Sequence, residues 1–320
     1  MPELPEVEAL RRGLAKYLVG QKIKRVAISE PKLVSGRGNL RRASRAKTAA
    51  FIKILTGQRI AGIERRAKNL IFRFRSGAVL LVHLKMTGQL VCQKRGARSE
   101  ERGENINRGP LSSLIPLRSS LVMGGHPIEI SEHILPNKHT CVIFELTKGV
   151  LFYNDTRKFG YLLAYPDIAT FEHANHFADL GLEPFDRKFT AEYLRRALRG
   201  KSSKLKTVLM NQSVVTGLGN IYCDEVCFAA GIRPTRRANT LTPTETKRLY
   251  QAIQKILSRA IKLGGSSVAT YRLADGSRGN YAREHKVYGR GKQKCYKCSS
   301  VLCATKVANR TTVYCRNCQQ

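Results

Sequence analysis

Acidic residues are scarce in this chain. Only 23 Asp and Glu stand against 57 Lys and Arg in 320 residues, for a formal net charge of +34. A solvated surface usually mixes both signs in near balance, so the deficit predicts a polyanionic partner, with nucleic acid first. Long apolar runs are also missing. No stretch of 18 or more apolar residues and no lipidation signal occurs, which excludes a membrane span or anchor as the reason for the charge. The opening residues lack the basic start and apolar core of a secretory signal, because Glu3, Glu6 and Glu8 occupy that stretch. A cytoplasmic protein is therefore expected. There is no internal repeat.

The length allows two domains with cores of their own. Residues 5–18 predict a helix, since Val7, Leu10, Leu14 and Leu18 recur at three- and four-residue intervals and Pro5 suits a first turn. Strand-like runs follow at 22–28, 69–75 and 78–84, the last two flanking Ser76-Gly77, then at 141–146 and 150–154 around Thr147-Lys148-Gly149, and at 161–165. This half predicts a β-sandwich with one leading helix. Between its strands, the stretch from about 92 to 137 loses periodicity. Residues 93–109 predict a flexible loop, 111–123 are apolar without a clear period, and the whole reads as an insertion.

The second half predicts helices at 190–198, 205–210 and 221–230, the last ending at Gly231. Thr242-Pro243-Thr244-Glu245 is a capping box that starts a helix running to about Lys262, before Gly264-Gly265. The expected organisation is α+β with two domains: an N-terminal sandwich over 1–176, a linker over 177–187, a helical domain over 188–284 and a finger over 285–320.

Nine cysteines are present, and five fall in the last 26 residues. An odd count clustered at one end fits metal better than disulfides. Cys295-x2-Cys298 and Cys315-x2-Cys318, 16 residues apart, place thiolates on two tight knuckles, the spacing of a zinc tetrahedron. Four sulfur ligands leave no open position, so the predicted Zn²⁺ is structural. Residues 304–307 and 311–314 predict a hairpin with Arg310 near its tip. Cys303 fits neither knuckle. Cys92, Cys141, Cys223 and Cys227 are expected as core or surface thiols.

Pro2 follows Met1, and a small second residue favours methionine removal. The product is a secondary amine with a pKa of about 8, partly neutral at pH 7. Such an amine can attack C1′ of a nucleoside, and the adjacent Glu3 can move protons.

These features occur together with MPELPEVE at 1–8, RRAK at 65–68, HLKMTGQL at 83–90, YNDTRKFG at 153–160, GLGNIYCDE at 217–225, FAAGIRP at 228–234 and a finger ending RTTVYCRNCQ. In order and rough spacing they resemble bacterial formamidopyrimidine-DNA glycosylases over nearly the whole chain, the insertion excepted. Leu4 resembles this branch rather than the endonuclease VIII branch, which tends to carry glycine there. The resemblance implies excision of oxidised purines (8-oxoguanine and ring-opened formamidopyrimidines) and β,δ-elimination at the abasic site. It implies Pro2 as Schiff-base nucleophile, Glu3 as general acid/base, Lys68 as a proton donor in β-elimination and Arg310 as the donor in δ-elimination.

Met86, Arg157 and Phe159 match the residues that fill the gap left by an extruded nucleotide, with the Arg157 fork suited to an orphaned cytosine. His139, Arg157, Lys158 and Lys201 fall at DNA-contact positions, and Lys206 and Asn220 at phosphate contacts. Gly217-x-Gly219-Asn220 opens a helix whose free N–H groups suit an anion. Helix–two-turn–helix architecture follows for the second domain, and damaged double-stranded DNA is the implied partner. A monomer associated with the bacterial nucleoid is expected, because one damaged base lacks two-fold symmetry.

The match departs from the family at Lys85 and Thr156, where glycine and proline are more usual. It departs again at Lys158, where a second arginine is usual and bidentate phosphate binding is lost. Two other readings remain at this stage: the same chemistry on oxidised pyrimidines, and a non-catalytic zinc-dependent DNA-binding protein.

Overall fold

The computed structural model describes residues 1–38, 41–94, 121–125, 135–266 and 279–320. The described residues divide into two compact units, the first built on Met1–Pro2 and Glu6–Asn175, the second on Glu3–Pro5, His176–Ser266 and Asn280–Gln320.

The first unit is two antiparallel sheets. One has five strands, β1 (Ile23–Ile28), β5 (Gly88–Lys94), β6 (Leu121–Gly125), β7 (Thr140–Leu146) and β8 (Gly149–Asp155), in the order β1-β7-β8-β5-β6. The other has four, β2 (Ile60–Arg66), β3 (Asn69–Phe74), β4 (Val79–His83) and β9 (Tyr161–Tyr165), in the order β2-β3-β4-β9. The inward faces meet in one core. Val26, Val142, Phe144, Leu90 and Tyr153 come from the first sheet, and Ile63, Leu70, Phe72, Leu80, Val82 and Leu162 from the second. Helix α1 (Leu4–Leu18) adds Val7, Leu10, Leu14 and Leu18, the side chains its heptad-like spacing predicts.

Helix α2 (Arg45–Leu55) and strands β2 and β5 are additions to the sequence-based expectation. Ser44 caps α2 by accepting from the Lys47 N–H at 3.3 Å, and only Phe51 and Leu55 of the helix are buried. Its large apolar residues, Phe51, Ile52, Ile54 and Leu55, crowd the last five positions, so no helical period extends along the segment. Strand β5 runs through Cys92 to Lys94, paired with β8 on one side and β6 on the other. The start of the predicted insertion is therefore sheet, as are residues 121–123 of its apolar stretch; residues 95–120 and 126–134 lie outside the described residues.

The second unit is helical. Helices α4 (Ala191–Leu198), α5 (Leu205–Met210), α6 (Asn220–Ala230) and α7 (Pro243–Lys262) follow the short α3 (Ile168–His173), which ends the first unit's chain path and was not expected. Their starts and stops follow local chemistry. Thr190 caps α4, Gly231 closes α6 in the left-handed region at φ 71°, and Thr242 with Glu245 forms the full capping box of α7. Leu194, Leu205, Leu209, Val226, Leu249, Ile253 and Leu257 build the core. The terminal hairpin, β10 (Cys303–Val307) and β11 (Arg310–Tyr314), belongs to this unit. Its two-residue turn is Ala308-Asn309, both with positive φ, the geometry that matches strand twist.

Candidate active site and DNA-contacting residues

The loop 217–219 is shaped around the chain immediately after Pro2. Leu4 donates its N–H to the Gly217 carbonyl at 3.0 Å. A Cβ on Gly217, at φ +90°, would sit 2.5 Å from the Leu4 Cβ, and one on Gly219 would sit 2.5 Å from the Glu3 Cδ. Glycine at both places lets this segment approach the backbone. Glu3 is buried, and its carboxylate accepts from the N–H groups of Ile221 at 2.9 Å and Tyr222 at 3.4 Å in the first turn of α6. The sequence pattern predicts an anion at this helix start. The anion the structure puts there is Glu3, with Asn220 as the first helical residue beside it.

Lys68 lies in the two-residue turn Ala67-Lys68 between β2 and β3, which close on the pair Arg66↔Asn69. It is buried, not the surface cation that its basic neighbours suggest. Ala67 is held in the left-handed region at φ 54°. The Arg65 guanidinium donates to its carbonyl at 3.0 Å, while Arg65 Nε reaches Glu8 at 3.2 Å. Burial alone would raise the Glu8 pKa, but hydrogen bonds from Arg11 and Arg12 outweigh it and hold the carboxyl at about 2.

Met86 is exposed on the turn after β4, and Arg157 is exposed on the turn after β8 with its Cζ 4.6 Å from the Phe159 ring centre. Lys85 and Lys158 are both held in the left-handed region, at φ 51° and 54°, a conformation that glycine adopts with least strain. The Lys158 ammonium is engaged by Glu30. His139 is half-buried, and its carbonyl accepts from the Asp155 N–H at 3.0 Å. His83, on β4 just before the Met86 turn, accepts the Lys85 N–H on Nδ1 at 2.9 Å; burial pushes its pKa down to about 3, which keeps that acceptor free.

Lys201 is exposed after α4, and Arg310 is exposed at the β10–β11 turn. Lys206 departs from expectation. Its side chain is fully buried, with Nζ 2.7 Å from Asp224 and donating to the Thr311 carbonyl at 2.9 Å. Asp224 also accepts from the Val313 N–H at 3.0 Å, so the pair ties α5 and α6 to the hairpin. Burial pushes Asp224 up to about 6 against the pull of Lys206. The ammonium is thus spent inside the protein, and the expected phosphate contact is corrected to a structural ion pair. Lys206→Met should cost about 3 kcal/mol of stability by stranding Asp224. It should leave the salt dependence of DNA binding unchanged; urea melts and salt titrations read the two effects separately.

Cys295, Cys298, Cys315 and Cys318 converge, with their sulfurs all within 4.8 Å of one another, an arrangement that can hold a metal ion. Cys303 pairs with Tyr314 in the hairpin and stays outside the cluster.

Glu8, Arg65 and Asp155 were not singled out from the sequence. The available signal was their being charged residues inside the matched segments of a chain with few acids.

Residues 1–162 match the model of the formamidopyrimidine-DNA glycosylase N-terminal domain, and 180–272 match that of the formamidopyrimidine-DNA glycosylase H2TH domain. The formamidopyrimidine-DNA glycosylase of Desulfitobacterium hafniense is 34% identical over 319 residues, covering 100% of both chains. That of Shouchella clausii is 36% identical over 321 residues, covering 100% of this chain and 99% of its own. Among solved structures, the Lactococcus lactis Fpg in complex with DNA containing an abasic site aligns at TM-score 0.79 and 32% identity, with 99% of each chain covered. A mutant of that protein with DNA containing Fapy-dG aligns at 0.78 and 33%, with both chains fully covered. The chain belongs to the formamidopyrimidine-DNA glycosylase family.

Proposed function

We propose that this protein is a bifunctional DNA glycosylase and abasic-site lyase of base excision repair, acting on oxidised purines in duplex DNA. The observation that carries the reading is the placement of Glu3: buried, fixed by two helix N–H groups, and directly following Pro2. Once Met1 is removed, the Pro2 amine attacks C1′ of the damaged nucleotide, the base leaves and an iminium forms. Glu3 supplies and recovers the protons at the sugar. Lys68, and then Arg310, serve the β- and δ-elimination steps that open the strand. Met86, Arg157 and Phe159 fill the vacated position in the duplex. His139, Lys201 and Asn220 contact the DNA backbone, with Lys158 contributing once released from Glu30.

The four cysteines suit Zn²⁺. Sulfurs at ordinary Zn–S distances stand roughly 3.8 Å apart in a tetrahedron, and the pairs Cys298–Cys315 and Cys295–Cys318 are 3.4 and 4.0 Å apart. The ion would hold the finger that carries Arg310 and take no part in the chemistry. No helix among the described residues is long and apolar enough to cross a membrane, and we place the protein in the cytoplasm on the nucleoid, as a monomer.

Duplexes carrying single lesions test the reading. Release of 8-oxoguanine or formamidopyrimidine opposite cytosine, followed by strand cleavage, is expected. Release of thymine glycol in preference to these would reassign the substrate to oxidised pyrimidines.

A further inference from the structure

The three gap-filling side chains come from two turns far apart in sequence, yet both turns end on one buried carboxylate. Strand β8 places Tyr153 and Asp155 on the same face, two residues apart. Asp155 is fully buried and lies opposite Gly88 in the β5–β8 ladder. One of its oxygens accepts from the Thr87 hydroxyl, next to Met86, and from the Arg157 N–H at 3.2 Å. The other accepts from the Gly160 N–H at 2.7 Å, next to Phe159, and from the Tyr153 hydroxyl at 3.5 Å. Thr87 closes the circuit by accepting from the Arg157 N–H at 3.2 Å. The glycines are matched to this arrangement: a Cβ on Gly160 would lie 1.7 Å from the Tyr153 oxygen, and one on Gly88 would lie 2.7 Å from it.

We propose that Asp155 is a positioning residue that fastens the Met86 turn to the Arg157–Phe159 turn, so that the gap-filling side chains enter the duplex as one unit and extrusion of the damaged base depends on it. The proposal rests on the glycosylase reading above. A carboxylate is required because every partner on the circuit donates to it. An amide would turn its NH₂ toward either the Gly160 N–H or the Arg157 N–H, both donors only, and break one side of the fastening. The chemistry at the sugar does not use Asp155, so its loss should fall on the step that replaces a stacked base. A site that already lacks its base presents less to replace.

Asp155→Asn and Thr87→Val test this under single-turnover conditions on two duplexes, one with 8-oxoguanine opposite cytosine and one with a preformed abasic site. Excision should fall at least about tenfold in both variants while cleavage of the abasic duplex changes less than about twofold. Thr87→Ser, which keeps the hydroxyl, should restore excision. Should Asp155→Asn fail to fold, Thr87→Val with its serine rescue decides alone. Equal losses on the two duplexes, or unchanged excision, would overturn the proposal. A wild-type protein that excises nothing would instead overturn the glycosylase reading.

Discussion

Glu3→Gln should slow base excision by a factor on the order of 10²–10⁴ while still forming a covalent adduct with a preformed abasic site. Glutamine keeps the size of the side chain and one oxygen to accept the Ile221 N–H at the start of α6, so the helix loses little. What disappears is the proton that glutamine cannot carry. Attack on an already opened abasic sugar needs the Pro2 amine more than it needs this acid, hence the split between the two substrates. Gly219→Ala offers an independent approach to the same group. The added methyl would sit 2.5 Å from the Glu3 carboxyl carbon and must displace it, so excision should fall without any change in the titratable residues. Full excision by Glu3→Gln would remove Glu3 from the mechanism.

Removing the proposed zinc should be the other large effect. Stripping zinc with a strong chelator, or replacing Cys315 by serine, should lower affinity for damaged duplex on the order of a hundredfold at moderate salt, because the finger arginine and its neighbours lose their placement. The sandwich has its own core, built from two sheets with α1 and α2, and its melting transition should survive. The helical unit should suffer more. The hairpin supplies the Thr311 carbonyl and the Val313 N–H that satisfy Lys206 and Asp224, and its loss exposes that pair. Calorimetry and binding run in parallel should show affinity disappearing first. A single transition in which both units unfold together would contradict the division into two units.

How far the sequence could be read follows from the range of the interactions involved. The ends of α6 and α7 were legible because Gly231, Thr242 and Glu245 act on backbone within a few residues of themselves. The two Cys-x2-Cys turns of the cysteine cluster were legible for the same reason. Helix α2 was not, since its large apolar residues crowd its last five positions and set no helical period along it. Lys206 was misread because its partner, Asp224, stands on a different helix, and a cation's burial does not show in its own neighbourhood. Asp155 and the pair Glu8–Arg65 share that limit: each acts across strands or elements, on groups that become neighbours only when the sheets form. The resemblance named candidates for meeting DNA. It left unstated the groups that hold them in place.

The central claim is that Pro2 becomes covalently joined to the damaged nucleotide. Borohydride reduction during turnover on an 8-oxoguanine duplex, followed by peptide mapping of the adduct, tests it most directly. The account predicts one trapped complex with the DNA attached at Pro2, weakened in Pro2→Gly. No adduct despite retained DNA binding, or an adduct mapped to Lys68 or another lysine, would contradict it.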